Sequence, residues 1–454
     1  MRMRTVFMAA AVALALSPTE AQAGHYNLSQ LLERVRNEYA GVEAAREAKN
    51  VAEAQLSQAN RLWFPTGDLT FGLTGTPKVQ CLDANRSPNV NDCVRTDVVD
   101  LSHGSRNAFS FDGVALRFDA KLTQPLYTFG KIEAARAAAK AGRDAADGGV
   151  AQAKAEVSVQ AQRAYWGLKW ARASLATLDD GRGRLSDWVK RVDAAIEGGK
   201  SSYTETDLIR LKLALDTAEL VILDVERAKQ IAESALRVLT HDDQVELDDS
   251  EIELVAGEMR PLAFYQDGAL THRPEARMLS AAGRAVHAQR SLRIAELLPD
   301  IGVQASFGYG YAQNVDTPQN AFMNHPNTVG AGVYLVARTT LDIPERLAKF
   351  SEANAQLRQL DAKRREALGG IALEIDRSYA DAIEAQKRAD RSAHAEKIAR
   401  GWYNAVDSNL QAGVAESRDL VDAARNYFEL RLKHLQAIMD VNVTHAALER
   451  AAGL

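Results

Sequence analysis

Two periodicities alternate along this chain. Near residues 67–75, 113–126, 300–311 and 329–343, apolar side chains take every second position, the spacing of a strand with two unlike faces. Leu69, Phe71 and Leu73 alternate with Asp68, Thr70, Gly72 and Thr74. Val114, Leu116, Phe118, Ala120 and Leu122 alternate with Arg117, Asp119, Lys121 and Thr123. The third segment sets Ile301, Val303, Ala305, Phe307, Tyr309 and Tyr311 against Gly302, Gln304, Ser306, Gly308 and Gly310. The fourth sets Val329, Val333, Leu335, Leu341 and Ile343 against Gly330, Gly332, Arg338 and Asp342. Roughly ten tilted residues per segment would cover an apolar band of about 25 Å. Aromatic residues gather at the segment ends: Trp63 and Phe64, Tyr127 and Phe129, Tyr309 and Tyr311. Interfacial girdles of membrane barrels have that placement. Alternation alone also fits a soluble sheet with one buried face; length and aromatics favour a barrel. Leu116, Phe118 and Leu122 would then meet lipid, and Arg117, Asp119 and Lys121 a water-filled lumen. Four strands cannot close around a lumen, and open edges are not tolerated in lipid. Several protomers must therefore share one barrel, and three would supply twelve strands.

Between these segments the period is helical. No proline occurs from Leu126 to Arg260 or after Pro344, and both tracts are rich in Ala, Glu, Arg, Lys, Gln and Leu. Such text sustains helices far beyond the usual globular length. Pro65, Pro125, Pro299 and Pro344 mark the places where the period changes. A helix from Lys131 to about Glu197 would run roughly 100 Å, with a break expected at Gly181 and Gly183 in "DDGRGRL". The chain also repeats itself: "AEAQLSQANRLWFPTGDLTFG" parallels "VHAQRSLRIAELLPDIGVQASFG" as helix, proline, strand. Two structural repeats are expected, about 27–247 and 266–454, around a short irregular or mixed insert.

Compartment follows from the first residues. Arg2 and Arg4 precede an apolar run from Val6 to Leu16, and Ala21-Gln22-Ala23 has the form of a signal-peptidase site. The run is too short for a transmembrane helix, so residues 1–23 read as an export signal and 24–454 as the mature protein. The chain has two cysteines, Cys81 and Cys93, in a polar, turn-rich segment. In an exported protein they read as one loop-closing disulfide, with two free thiols as the alternative. The net charge of −5 leaves no basic footprint for nucleic acid. The nine histidines are scattered, with no metal-ligand spacing, nucleophile elbow or phosphate-binding glycine loop. No enzyme, cofactor or metal is expected.

The stretches "LTQPLYTFGKIEAARAAAKAG", "RPEARMLSAAGRAVHAQRSL…LPDIGV" and "AGVAESRDLVDAARNYFELRL", in this order, resemble the TolC family of outer-membrane efflux proteins. That resemblance covers essentially the whole mature chain. It implies a mainly α protein with a membrane β-barrel portion: a homotrimer sharing a twelve-stranded barrel above a long periplasmic α-barrel. It implies as partners a periplasmic adaptor (membrane fusion protein), an inner-membrane transporter and outer-membrane lipid. The function implied is a duct exporting substrates from the cell. An exported periplasmic coiled-coil scaffold or adaptor is the alternative. Gly413 and Leu420 match the family's adaptor-contacting hairpin tips residue by residue, and Gly199, Asp207 and Leu208 match them more loosely, with two extra residues between. Asp419 and Asp422 match the paired aspartates of its periplasmic entrance. An ordinary capped turn and two solvated aspartates remain the plainer readings. The sequence departs from the family in keeping one glycine at Phe129-Gly130-Lys131, in placing Pro344 at the second junction, and in having Ala415 where a basic residue is usual.

Overall fold

The computed structural model describes residues 25–76, 113–198, 203–248, 251–255, 257–313, 327–412, 414 and 416–454. The expected export signal, Cys81 and Cys93, Gly199 and Gly413 lie outside the described residues. The chain divides into two compact units, one of residues 1–47, 148–276 and 368–454, the other of residues 48–147 and 277–367.

The second unit holds a four-stranded antiparallel sheet. Its strands are β2 (Thr66–Thr76), β3 (Gly113–Tyr127), β5 (Asp300–Ala312) and β6 (Thr328–Arg338), in the order β2-β3-β5-β6. Helix α2 (Ala40–Arg61) ends before Pro65 and β2, and α6 (Pro274–Ala295) ends before Pro299 and β5. Pro125 does not start a helix. It lies inside β3, where the register with β5 shifts between Pro125 and Tyr127. A residue without an N–H fits such an irregularity and no regular ladder position.

Helix α3 (Lys131–Glu197) follows β3, and α7 (Ile343–Gln411) follows β6. Pro344 sits in the first turn of α7, where a missing N–H costs nothing. At the first junction Phe129 and Gly130 both have positive φ, 52° and 91°. Gly130 takes that conformation freely, while Phe129 adopts it with its ring edge-on to Tyr127, ring centroids 4.6 Å apart. Lys131 occupies the site of the family's second glycine. Its Nζ donates to the Leu298 carbonyl at 3.0 Å and pairs with Asp300 at 2.7 Å, tying the start of α3 to the start of β5.

The first unit is built on α1 (Leu28–Glu38), α4 (Glu205–Thr240), α5 (Leu262–His272), α8 (Ser417–Ala452) and the parts of α3 and α7 within its bounds. The insert contributes β4 (Glu246–Leu247), which pairs in parallel with β1 (His25–Tyr26). One core joins Leu31 and Val35 of α1, Val157, Ala161 and Leu168 of α3, Leu236 and Leu239 of α4, and Leu435 of α8. A second core joins Leu185, Trp188 and Val192 of α3 with Leu211, Tyr403, Val406, Leu420 and Ala423.

The break expected at Gly181 and Gly183 is absent, and α3 runs through both. Tertiary packing explains the first. A Cβ on Gly181 would lie 2.9–3.1 Å from three ring atoms of Phe428, so this glycine is a notch that seats an aromatic ring. Two glycines cost about 1 kcal/mol each in helix propensity, which packing along such a helix readily outweighs.

Candidate functional site

The sheet has two unlike faces, and the strand register aligns them across all four strands. One row reads Phe71, Phe118, Tyr309, Val329; the next reads Leu69, Ala120, Phe307, Ala331; a third carries Leu122, Ala305 and Val333. The other face carries Asp68, Lys121, Ser306 and Gly332 in one row, and Thr70, Asp119, Gly308 and Gly330 in the next. In a soluble protein the apolar face would be covered. Here it is open: Phe71 is 69% exposed and Val333 73%. Contiguous apolar area of that kind belongs against another apolar phase. The strands span 11 to 15 residues, enough to cross a bilayer when tilted. Trp63, Phe64 and Tyr127 are exposed beside the strand ends that meet the helices.

On the polar face the Arg117 Nε donates to Asp119 Oδ2 at 2.6 Å, and Lys121 is exposed beside them in sequence. The three residues assigned to a lumen therefore share one face of β3. Strands β2 and β6 each have one side unpaired by any described strand. They run in opposite directions, so β6 of one copy can pair antiparallel with β2 of another. Among the described residues no helix is long and apolar enough to cross a membrane.

The tip and entrance residues separate into different roles. Thr204 caps α4, and Asp207 completes a reciprocal capping box: the Thr204 N–H donates to Asp207 Oδ2 at 3.0 Å, and the Asp207 N–H to Thr204 Oγ1 at 3.3 Å. Arg210 stands 3.6 Å away. Leu208 is half-buried against the second core, and Leu420, at 1% exposed, lies inside it. These leucines position the helix ends from within. Asp419 and Asp422 are exposed on α8, flanking the buried Leu420, Ala423 and Ala424. Arg418 Nε lies 3.9 Å from Asp422 Oδ2, a loose surface pair that adds little. No group of three or more potential metal ligands occurs among the described residues.

Buried polar groups near α7 and α8 escaped the sequence reading. Arg273, 3% exposed, contacts Glu275 at 3.0 Å, Glu374, and the Ala451 carbonyl at 3.2 Å. Arg450 joins Glu374, Glu275 at 3.1 Å and Glu156 at 3.3 Å to that network. Spacing along the chain carries no signal for contacts between helices so far apart in sequence.

Residues 94–240 and 266–454 match the sequence profile of the family described as outer membrane efflux protein. The chain belongs to that family. Comparison with curated proteins gives no match. Among solved structures, the CmeC outer membrane channel of Campylobacter jejuni is similar, with a TM-score of 0.74 at 13% identity over 100% of this chain and 94% of that one. The open-state MtrE outer membrane channel of Neisseria gonorrhoeae gives 0.72 at 15% identity, over 94% and 88%. The outer membrane protein VceC of Vibrio cholerae gives 0.70 at 16% identity, over 94% and 96%. At these identities the likeness concerns the fold, which is that of an outer-membrane channel: long helices with four strands that form each chain's share of a β-barrel. As a member of the outer membrane efflux protein family, the chain is an outer-membrane efflux channel that extends into the periplasm. The alternative of a periplasmic scaffold is not favoured.

Proposed function

We propose that three copies close a twelve-stranded barrel and form one continuous export duct with no catalytic activity of its own. The observation that carries this reading is the open apolar sheet face bounded by two unpaired, oppositely directed edges. Lipid covers the face, and neighbouring copies satisfy the edges. Arg117, Asp119 and Lys121 then line the lumen. A second feature supports association between copies. Ile209, Leu213, Leu220, Leu223, Ile231 and Val238 are all exposed and, at helical spacing, share one face of α4. Such a stripe in a single chain fits a surface buried between protomers.

The hairpin ends around 199–208 and 413–420 serve as the seat for a periplasmic adaptor, which links the duct to an inner-membrane transporter. Residue matches to the family support this, as do two helix ends held rigid by the Thr204 cap and the buried Leu420. Cys81 and Cys93 form a disulfide in a loop outside the barrel, and the two halves of the chain are structural repeats.

Asp419 and Asp422 form two rings of three carboxylates at the periplasmic entrance. Like charges so crowded attract cations and favour their passage. With Ala415 in place of a basic residue and Arg418 only loosely paired, few ion pairs hold this entrance shut. Native mass spectrometry of detergent-extracted protein tests assembly, with a trimer expected and a monomer contradicting the reading. Planar-bilayer recording tests the entrance. Asp419→Asn with Asp422→Asn should reduce cation selectivity and block by multivalent cations; unchanged behaviour removes these aspartates from the entrance.

A further inference from the structure

The strand register within one copy constrains how the next copy joins it. Thr66 stands level with Thr123, Gln304 and Tyr334, so a line perpendicular to the strands leaves the sheet at Tyr334. If copies met without a shift, Tyr334 would face Thr66 of the next copy and the strands would stand upright along the barrel axis. Strands of membrane barrels instead lean by about 35–45°. The tangent of the lean is the total stagger times the rise per residue, divided by the strand number times the strand spacing. Twelve strands with a rise of about 3.3 Å and a spacing of about 4.8 Å set the scale. A shift of two residues at each of three seams then gives about 19°, four about 35°, six about 46° and eight about 54°. Odd shifts would set polar rows of one copy against apolar rows of the next. Shifts of four and six remain.

Strand lengths fix the direction. β2 and β6 each have 11 residues. A shift of four towards the C-terminal end of β2 pairs them along their whole length, with Arg338 facing Thr66 and Thr328 facing Thr76. A shift of six the same way sets Arg338 against Asp68 and leaves only two end residues of each strand unpaired. The reverse shifts leave most of both edges open in lipid, which is not tolerated. The apolar face continues across the seam in both accepted cases: Val333 and Leu335 meet Phe71 and Leu69, or Leu73 and Phe71.

We propose that Arg338 of one copy pairs with Asp68 of the next on the lumen face, a contact that sets the register in which the barrel closes. Under the shift of six the two residues are directly opposite. Under the shift of four they are diagonal neighbours, within reach of so long a side chain. Both are exposed, and both lie on the polar face at the end of the sheet that meets the helices. Within a copy Asp68 faces Lys121, and Arg338 faces Asp300, whose carboxylate already binds Lys131 at 2.7 Å. Neither Asp68 nor Arg338 has a hydrogen-bond or ion-pair partner among the described residues. Assembly places them in a band of alternating sign: Lys131, Asp300, Arg338, then Asp68 and Lys121 of the next copy. Opposite charges across neighbouring strands stabilise the pairing, and like charges there oppose it. The seam rests on the reading of three copies in one barrel and adds which residues join them.

Disulfide crosslinking of the full-length protein in outer membranes reads the register. In a Cys81→Ser, Cys93→Ser background, Tyr334→Cys is combined with Thr70→Cys, with Gly72→Cys or with Thr66→Cys. Within one copy β2 and β6 are the opposite edges of the sheet, so any bond formed joins two copies. After mild oxidation, the Thr70 or the Gly72 combination should give covalent dimers and trimers on a denaturing gel, and the Thr66 combination only monomers. A double-mutant cycle on the rate of trimer dissociation in dodecyl sulfate reads the ion pair. Arg338→Gln and Asp68→Asn should each speed dissociation about three- to tenfold, because three exposed pairs are lost at once. The double variant should dissociate no faster than the faster single one. Residues on opposite edges of one sheet are too far apart to couple within a copy, so non-additivity locates their contact at the seam. If a charge variant does not assemble, Arg338→Cys with Asp68→Cys, bridged by a short bis-maleimide, replaces the cycle, and failure to bridge overturns the pair. Crosslinking through Thr66, or additive effects of the two charge variants, overturns the seam and leaves the trimer standing. So does a trimer by native mass spectrometry that crosslinks at neither shifted position. A monomer overturns both.

Discussion

Gly181 and Gly183 lie two residues apart in the same unbroken helix, and the same substitution should act on them in opposite directions. Alanine gains about 1 kcal/mol of helix propensity over glycine at either site. At Gly183 a Cβ meets nothing within 4 Å, so the gain stands alone. At Gly181 the new Cβ would lie 2.9–3.1 Å from the Phe428 ring, which must retreat by about half an ångström to reach ordinary contact. That ring is not free to move. Its centroid lies 5.0 Å from that of Tyr427 and 6.1 Å from that of Tyr403, and Tyr403 is buried. Overpacking of this kind costs about 1–3 kcal/mol. Propensity cancels in the difference between the two variants, so Gly181→Ala should be less stable than Gly183→Ala by the overpacking alone, about 1–3 kcal/mol. Guanidinium unfolding followed by far-ultraviolet circular dichroism in detergent reads this difference. Phe428→Leu in the Gly181→Ala background should recover most of it, as a double-mutant cycle would show. Equal stability of the two alanine variants, or no recovery with Phe428→Leu, would refute the notch.

Arg273→Ala should destabilise the first unit by about 3–5 kcal/mol, because it leaves Glu275 and Glu374 short of a buried partner; denaturant titration measures it. Although burial acts to raise the Glu275 pKa, its hydrogen bond to Arg273 brings the net value below the ordinary 4.5. Glu275 therefore contributes stability above about pH 4.5 that is lost as pH falls, and Arg273→Ala should flatten that part of an acid-unfolding curve. Leu213→Arg with Leu220→Arg, both on the exposed stripe of α4, should leave helicity unchanged and reduce the trimer fraction seen by native mass spectrometry. Persistence of the trimer would place the contact between copies elsewhere.

Much of this fold was legible in the sequence because its signals are local. Alternation marks β2, β3, β5 and β6, since a strand with unlike environments on its two faces must alternate. Proline-free alanine-rich text marks α3 and α7. What stayed hidden depends on contacts distant in sequence. Gly181 looks like a helix breaker until Phe428 is seen against it, some 250 residues away (247 by number). Pro125 looks like a helix boundary, yet it marks a bulge whose partner strand, β5, begins at Asp300. Asp207 and Leu420 match a motif, but only the structure shows that one completes the capping box of α4 and the other fills a core.

The central claim is that the two faces of the sheet meet lipid and water respectively, and cysteine accessibility tests it most directly. Single cysteines at 116, 118 and 122, and at 117, 119 and 121, are introduced into a Cys81→Ser, Cys93→Ser background. Each variant is exposed in outer membranes to a membrane-impermeant maleimide, with a denatured sample for total thiol. The register places the first set among Leu73, Phe71 and Tyr309 on the apolar face and the second among Asp68, Thr70 and Ser306 on the polar one. Labelling confined to 117, 119 and 121 is expected. Equal labelling of both sets, or preferential labelling of 116, 118 and 122, would contradict the barrel.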